Sequence, residues 1–268
     1  MSILSWLNEQ ERRGRICFSL SEIQERFPQK TRCVLISELS RLRKHHILSN
    51  VHSGFYVKIP VRYTLDGIVP PEYYIDQLMK HIGRPYYVSL LTAAQLYGAA
   101  HQSPHRFCVF TILPKMSLSE AKNPVVFWGY RQRIQQQLLI KSNSETAAVN
   151  FSCPELTAVD LIQYSQYIGG LSRAATVLAE LIEKTDFSKV DPILYQYTSL
   201  ASFQRLGYIL EDVLDEKKQA DILYSCLLKT NLNFRWTSLS KQKKTDNSMA
   251  RSSRWRIIIN TVIEVDDL

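Results

Sequence analysis

Three amphipathic segments open the chain and predict three helices. The first, residues 2–13, has its apolar positions on one face and is followed by Gly14, a residue typical of helix ends. The second, within residues 16–28, follows a short apolar run and ends at Pro28. A turn, residues 28–30, separates it from the third segment. That turn length is typical of a helix-turn-helix.

The third segment, residues 32–44, separates into an apolar face and a polar one. At about 100° per residue, Leu35, Leu39 and Leu42 fall on one stripe. The opposite and flanking positions carry small hydroxyls and long cations, which allow a helix to approach a major groove, donate to guanine and bind phosphates. The residues predicted to contact DNA on this helix are Arg32, Ser37, Ser40, Arg41 and Lys44.

Two short β-rich runs, "ILSNV" and "FYVKI", follow and are joined through "HSG". Gly54 provides the permissive backbone for the turn, so the pair predicts a hairpin. Three helices followed by a hairpin are the order of a winged helix, and duplex DNA is the ligand we expect for it. The hairpin residues predicted to contact DNA are His52, Ser53 and Lys58.

Prolines and a glycine between residues 60 and 72 predict a linker. We therefore expect a winged helix at 1–62, a linker at 63–69 and a larger domain at 70–268. In the larger domain, strand patterns come early and helical periodicity dominates the middle, and a final strand at 255–265 is expected to return to the sheet. The fold class expected for the whole chain is α+β.

Charge is concentrated at the two ends of the chain. The net charge of +8 divides into +5 for residues 1–60, zero for 61–233, +6 for 234–256 and −3 for the last twelve residues. Localised positive charge is what a polyanion-binding surface requires, because each neutralised phosphate releases condensed counterions. A solvated basic surface explains charge of this kind equally simply.

Catalytic and metal chemistry find little support. No GxxxxGK[ST], GxGxxG, HExxH or GxSxG string occurs, and the five cysteines form no CxxC pair. His101 and His105 are separated by Pro104, which disfavours a helical metal site, and the carboxylates of residues 264–267 are better explained as a solvated tail. With no apolar run long enough to span a membrane and no secretory signal pattern, we expect a cytoplasmic protein without cofactor, metal or catalysis.

Several longer strings together resemble one family. They are "YYVSLLTAAQLYGAAHQSP" before the strand "FCVFT", "FSCPELTAVDLIQY", "FQRLGYILE" and the terminal "WRIIIN". In this order they resemble the AbiEi antitoxins of type IV toxin–antitoxin systems, which are associated with abortive phage infection. His46 departs from the pattern, because a glycine is common there before the wing.

The resemblance implies two roles. A winged helix would bind operator DNA and repress the chain's own two-gene operon, with the basic segment 235–256 as the candidate auxiliary DNA surface. The second domain would counteract a nucleotidyltransferase toxin, with or without direct contact. Two alternatives without antitoxin activity stay open, a winged-helix transcriptional regulator and a protein-interaction module that binds no DNA, since fold alone does not fix function. A nuclease or transferase is the third class, and it would require metal-dependent turnover.

Overall fold

The structure is a computed structural model that describes residues 2–65, 67–100, 104–115, 126–144, 147–188, 192–230, 233–246 and 248–265. The histidine at 101 and the carboxylates at 266 and 267, which entered the metal hypotheses above, lie outside these residues.

Helices and strands alternate in the first half of the chain, and helices dominate the second. The helices are α1 Ile3–Arg12, α2 Leu20–Arg26, α3 Arg32–Lys44, α4 Ile75–Ile82, α5 Leu90–Leu96, α6 Pro154–Gln163, α7 Leu171–Leu181, α8 Ile193–Tyr197, α9 Leu200–Tyr208 and α10 Lys217–Lys229. The strands are β1 Cys17–Ser19, β2 Leu48–His52, β3 Phe55–Lys58, β4 Tyr86–Val88, β5 Phe107–Ile112, β6 Val126–Arg131, β7 Leu139–Asn143, β8 Ala148–Ser152, β9 Thr237–Ser238, β10 Arg251–Ser252 and β11 Ile257–Ile258. The mixed α+β class is confirmed.

Local residue chemistry explains where the first helices begin and end. The hydroxyl of Ser19 accepts the backbone N–H of Glu22 at 3.1 Å and caps α2. Gly14 follows α1 with a φ of +79°. His46, after α3, also adopts a left-handed φ, +55°, a conformation in which glycine is favoured. The departure noted at His46 therefore falls on a position whose backbone conformation favours glycine.

The strands β1, β2 and β3 form one antiparallel sheet in the order β1-β3-β2. The first three helices bury their apolar faces in one core, in which the Trp6 ring lies 4.9 Å from Phe18 and 6.0 Å from Phe27, centroid to centroid. Leu35 and Leu39 of α3 belong to the same core. The buried face of α3 is thus the one that its periodicity predicted.

Two further sheets form in the rest of the chain. Strands β4 to β8 make a five-stranded sheet in the order β6-β5-β4-β8-β7. The prediction that the last strand returns to this sheet is wrong: β11 lies between β10 and β9 in a small separate sheet. Each of these three strands is two residues long, and residues 253–256 turn between β10 and β11. Most of residues 255–265 are therefore not in a β-strand.

The chain divides into two compact units. The first comprises Met1–Tyr87, Val109–Ile134 and Lys141–Asn150, and the second comprises Val88–Cys108, Gln135–Ile140 and Phe151–Leu268. Helices α1 to α3 and their three-stranded sheet lie in the first unit, and helices α5 to α10 lie in the second.

Candidate nucleic-acid interface

Helix α3 presents most of its predicted contact residues to solvent. Thr31 caps the helix by accepting the backbone N–H of Val34 at 3.4 Å. Leu35 and Leu39 are fully buried, which fixes the rotation of the helix about its axis. The opposite face is solvent-exposed at Arg32, Ser37, Arg41 and Lys44, while Ser40 is half-buried.

The charge of this face is positive and uncompensated within the described part of the chain. Glu38 is the acidic residue of α3, and both of its carboxylate oxygens accept from the Lys30 ammonium at 2.7 Å. Arg32, Arg41 and Lys44 take part in no ion pair among the described residues. Their donors are therefore available to phosphates or base edges.

Two exposed apolar side chains accompany these cations. Val34 is 45% exposed and Ile36 44% exposed, although both are large aliphatic residues. The contact residues predicted for α3 are hydroxyls and cations, and they do not include Ile36. A step of about 100° from buried Leu35 already places it outside the core stripe. Exposed apolar side chains are the kind of group that can contact the thymine methyl group in a major groove.

The hairpin of β2 and β3 places its predicted contact residues differently. Ser53 is exposed at the turn, next to Gly54 with a φ of +69°. His52 is half-buried, and its ring lies 6.2 Å from the ring of His81. Ser53 is thus the predicted hairpin residue with the freest access to a ligand.

Lys58, the third hairpin residue predicted to contact DNA, lies in a position that does not favour such a contact. Its side chain is only 5% exposed, and its ammonium forms an ion pair with Glu11 of α1. A buried cation with a carboxylate partner is not available to a phosphate, because removing one partner would leave the other charge buried and unpaired.

The basic segment 235–256 is more structured than a solvated loop. It contains β9 and β10, and Trp255 near its end is fully buried. Arg254 is held by Glu211 at 2.9 Å and by Asp221 at 2.6 Å. Arg251 stacks on Trp236 with its guanidinium carbon 5.5 Å from the ring centroid. Its role as a DNA surface stays a prediction.

In the second unit, two of the strings quoted above meet in a buried hydrogen-bond network. The hydroxyl of Ser89, just before α5, donates to Asp160 of α6 at 2.9 Å, and Asp160 is fully buried. The hydroxyl of Ser152 donates to Ser89 at 3.1 Å and lies 2.6 Å from that of Thr157. The strings "YYVSLLTAAQLYGAA" and "FSCPELTAVDLIQY" are thus joined by their hydroxyl and carboxylate groups.

The other two strings meet around Trp255. The side-chain amide of Gln204 in α9 donates to the backbone oxygen of Trp255 at 2.8 Å. The indole N–H of Trp255 donates to Glu211, and its ring lies against Gly207, where a Cβ would come within 2.1 Å of it. "FQRLGYILE" and "WRIIIN" therefore form one packed cluster.

A family model described as the AbiEi antitoxin C-terminal domain matches residues 87–212, which hold most of these strings. The chain contains an AbiEi antitoxin domain. The resemblance predicted from the sequence is confirmed, and the domain supports an antitoxin role in a toxin–antitoxin system.

The crystal structure of the RV2827C protein from Mycobacterium tuberculosis is similar, with a TM-score of 0.69 over 96% of this chain and 89% of that chain. The sequence identity is 14%, so this likeness concerns the fold alone. No curated protein matches the sequence. Within the described ranges, no helix has the length and apolarity needed to cross a membrane, and no group of three or more metal-ligating side chains occurs.

Proposed function

We propose that this AbiEi antitoxin is a DNA-binding regulator of its own operon. Residues 1–62 act as a winged helix whose third helix, α3, enters the major groove of operator DNA. The observation that carries this proposal is the outward face of α3, where Arg32, Arg41 and Lys44 stand without ion-pair partners in the described structure. The helices before α3 and the β2–β3 hairpin after it support the same module.

The second part of the proposal concerns the toxin. The AbiEi domain counteracts a nucleotidyltransferase toxin encoded beside it, in the cytoplasm and without a catalytic step of its own. Co-expression with the adjacent gene tests this, with cell growth as the readout. Rescue of growth supports the proposal, and continued toxicity with both proteins folded and expressed contradicts it.

The first test of DNA binding is a gel-shift titration against the DNA immediately upstream of the gene. Scrambled competitor and two salt concentrations are included. Competitor-resistant binding that weakens with salt supports a sequence-specific regulator. Binding no tighter than to scrambled DNA favours a protein-interaction module, for which the exposed Val34 and Ile36 of α3 would be the contact residues.

The double variant Arg41→Ala with Lys44→Ala is expected to bind this DNA about thirtyfold more weakly and to unfold at an unchanged temperature. Each cation contributes about 1–3 kcal/mol to a phosphate or base contact, and both lie on the exposed face of α3. The salt dependence of binding should also fall, by roughly one phosphate per lysine removed. Fluorescence anisotropy at several salt concentrations measures both quantities.

The matched control is Lys218→Ala with Lys229→Ala, which removes the same charge from exposed positions of α10. It should retain wild-type affinity within about threefold, because an exposed charge that does not contact the DNA is largely screened at physiological salt. Equal weakening in both double variants would show that net charge, rather than the face of α3, determines binding.

Thymine methyl groups are expected to contribute to recognition through Val34 and Ile36. Operator DNA prepared with uracil in place of thymine lacks these methyl groups and keeps the hydrogen-bonding edges of the bases. We expect the wild type to bind it about fivefold more weakly, since apolar contacts to thymine carry part of the sequence readout.

Val34→Ala with Ile36→Ala is the control for this experiment. It should bind thymine and uracil DNA equally, because its own methyl contacts are gone. If the double variant still prefers thymine DNA as strongly as the wild type, DNA shape or another residue reads the methyl groups.

A further inference from the structure

A cleft in the second unit combines a free helix end with cationic side chains. Its volume is about 300 Å³, at the lower end of the range typical of small-molecule sites. Three cations line it, Arg205, Lys241 and Lys243, and no acidic residue is among the described residues that do so. It lies in the second unit, and two of its cations, Lys241 and Lys243, belong to the basic segment 235–256 that was predicted as an auxiliary DNA surface.

The N-terminus of α7 forms one wall. Gly170, Leu171 and Ser172 line the cleft there, and Gly170 is the N-cap with a φ of +99°. No side chain caps this helix. The first turn of this eleven-residue helix therefore lines the cleft, and its backbone N–H groups lack the usual serine or aspartate acceptor.

Arg205 lies at the buried end of the cleft. It is 4% exposed, and its guanidinium donates to the backbone oxygens of Ser238 and Leu239 at distances between 2.7 and 3.0 Å. With most of its donors used by the backbone, Arg205 acts as a fixed positive charge in the cleft. The chain segment that it holds leads directly into Lys241 and Lys243.

The two lysines lie on the other side. The ammonium of Lys243 donates to the hydroxyl of Thr261 at 2.9 Å, which leaves two of its three protons for another acceptor. Lys241 is solvent-exposed, and partial desolvation together with the charge of Arg205 lowers its pKa. An anion between these groups would offset the repulsion among the three cations.

We propose that this cleft binds a small polyanion of the pyrophosphate class, with phosphate oxygens on the N-terminus of α7 and on Lys241 and Lys243. The positive end of the helix dipole and its free N–H groups are the usual ligands for phosphate at helix N-termini. The cleft has room for a diphosphate, either as a free ion or as part of a nucleotide. The acidic residue Glu264 adjoins it through its backbone N–H, which donates to the Ser172 hydroxyl at 3.2 Å.

The test is a calorimetric titration of the full chain with pyrophosphate and, separately, with ATP. Lys241→Gln with Lys243→Gln is expected to weaken binding about tenfold or more, because it removes two charged donors to the phosphate oxygens. Lys218→Gln with Lys229→Gln, on the exposed face of α10, makes the same change in net charge and should bind like the wild type.

Ser172→Asp separates loss of binding from loss of folding. A carboxylate in the first turn of α7 interacts favourably with the helix dipole, so the unfolding temperature should stay equal or rise. The same carboxylate repels phosphate, so binding should fall at least tenfold, as one charge-assisted contact is lost and a repulsion is added.

The proposal is supported if both cleft variants weaken binding and the α10 control leaves it unchanged. If pyrophosphate binds with the same affinity as ATP, the phosphates are the recognised group. If ATP binds more tightly and Ser172→Asp removes that binding too, the site extends to a nucleotide. The proposal is overturned if neither pyrophosphate nor ATP shows saturable binding up to about 10 mM. It is also overturned if the double lysine variant weakens only DNA binding. Operator binding is tested with variants of α3, so a failure of the proposed DNA binding and a failure of this anion site can be told apart.

Discussion

Alanine in place of Gly207 is expected to lower the free energy of unfolding by about 3 kcal/mol, although alanine normally stabilises a helix interior by about 1 kcal/mol relative to glycine. A Cβ at this position would lie 2.1, 2.2 and 2.4 Å from three atoms of the Trp255 ring. The ring is fully buried and is fixed by its hydrogen bond to Glu211. It therefore cannot move aside without loss of that bond. Urea denaturation measures the change.

A double-mutant cycle with Trp255→Leu provides the control. Trp255→Leu alone should also destabilise, because it leaves a cavity and removes the indole donor from Glu211. In that background Gly207→Ala should cost little or even stabilise, so the two changes should couple by about 2 kcal/mol. A Gly207→Ala variant as stable as the wild type would show that the helix and the ring separate easily.

The first sixty residues follow their sequence patterns closely because their signals are local. A serine cap, a glycine after α1 and a glycine in the hairpin turn each act within a few residues of themselves. The buried stripe of α3 follows directly from helical periodicity. The patterns of the early strands and of the middle helices are similarly local, which is why the α+β class could be predicted.

Lys58 and the end of the chain show what such patterns miss. The partner of Lys58 is Glu11, 47 residues earlier in the sequence, and no local pattern reports that pairing. The run "WRIIIN" looks like a strand, but Trp255 is held by α9 through Gln204 and Gly207. A tertiary contact overrides the local β preference there. Local patterns also miss the cleft beside α7, because its lining residues lie up to a hundred positions apart in the sequence.

Asp160→Ala is expected to be the other strongly destabilising change, with a loss of about 3 kcal/mol in the free energy of unfolding. Asp160 is fully buried and accepts the hydroxyl proton of Ser89 at 2.9 Å. Its removal leaves a buried donor without this acceptor and disturbs the links from Ser89 to Ser152 and from Ser152 to Thr157. Loss of an acceptor in a buried network costs more than loss of an exposed one. Chemical denaturation, checked by circular dichroism for an unchanged fold, gives the value.

Two further variants distinguish the hydrogen bond from the volume of the side chain. Asp160→Asn keeps an acceptor oxygen at nearly the same place and should lose only about 1 kcal/mol. Ser89→Ala added to Asp160→Ala should cost almost nothing more, because the hydroxyl left without its acceptor is then removed as well. If the losses of Ser89→Ala and Asp160→Ala simply add, the two groups act independently. The segments "YYVSLLTAAQLYGAA" and "FSCPELTAVDLIQY" of the AbiEi domain would then be joined by apolar packing and not by their shared polar network.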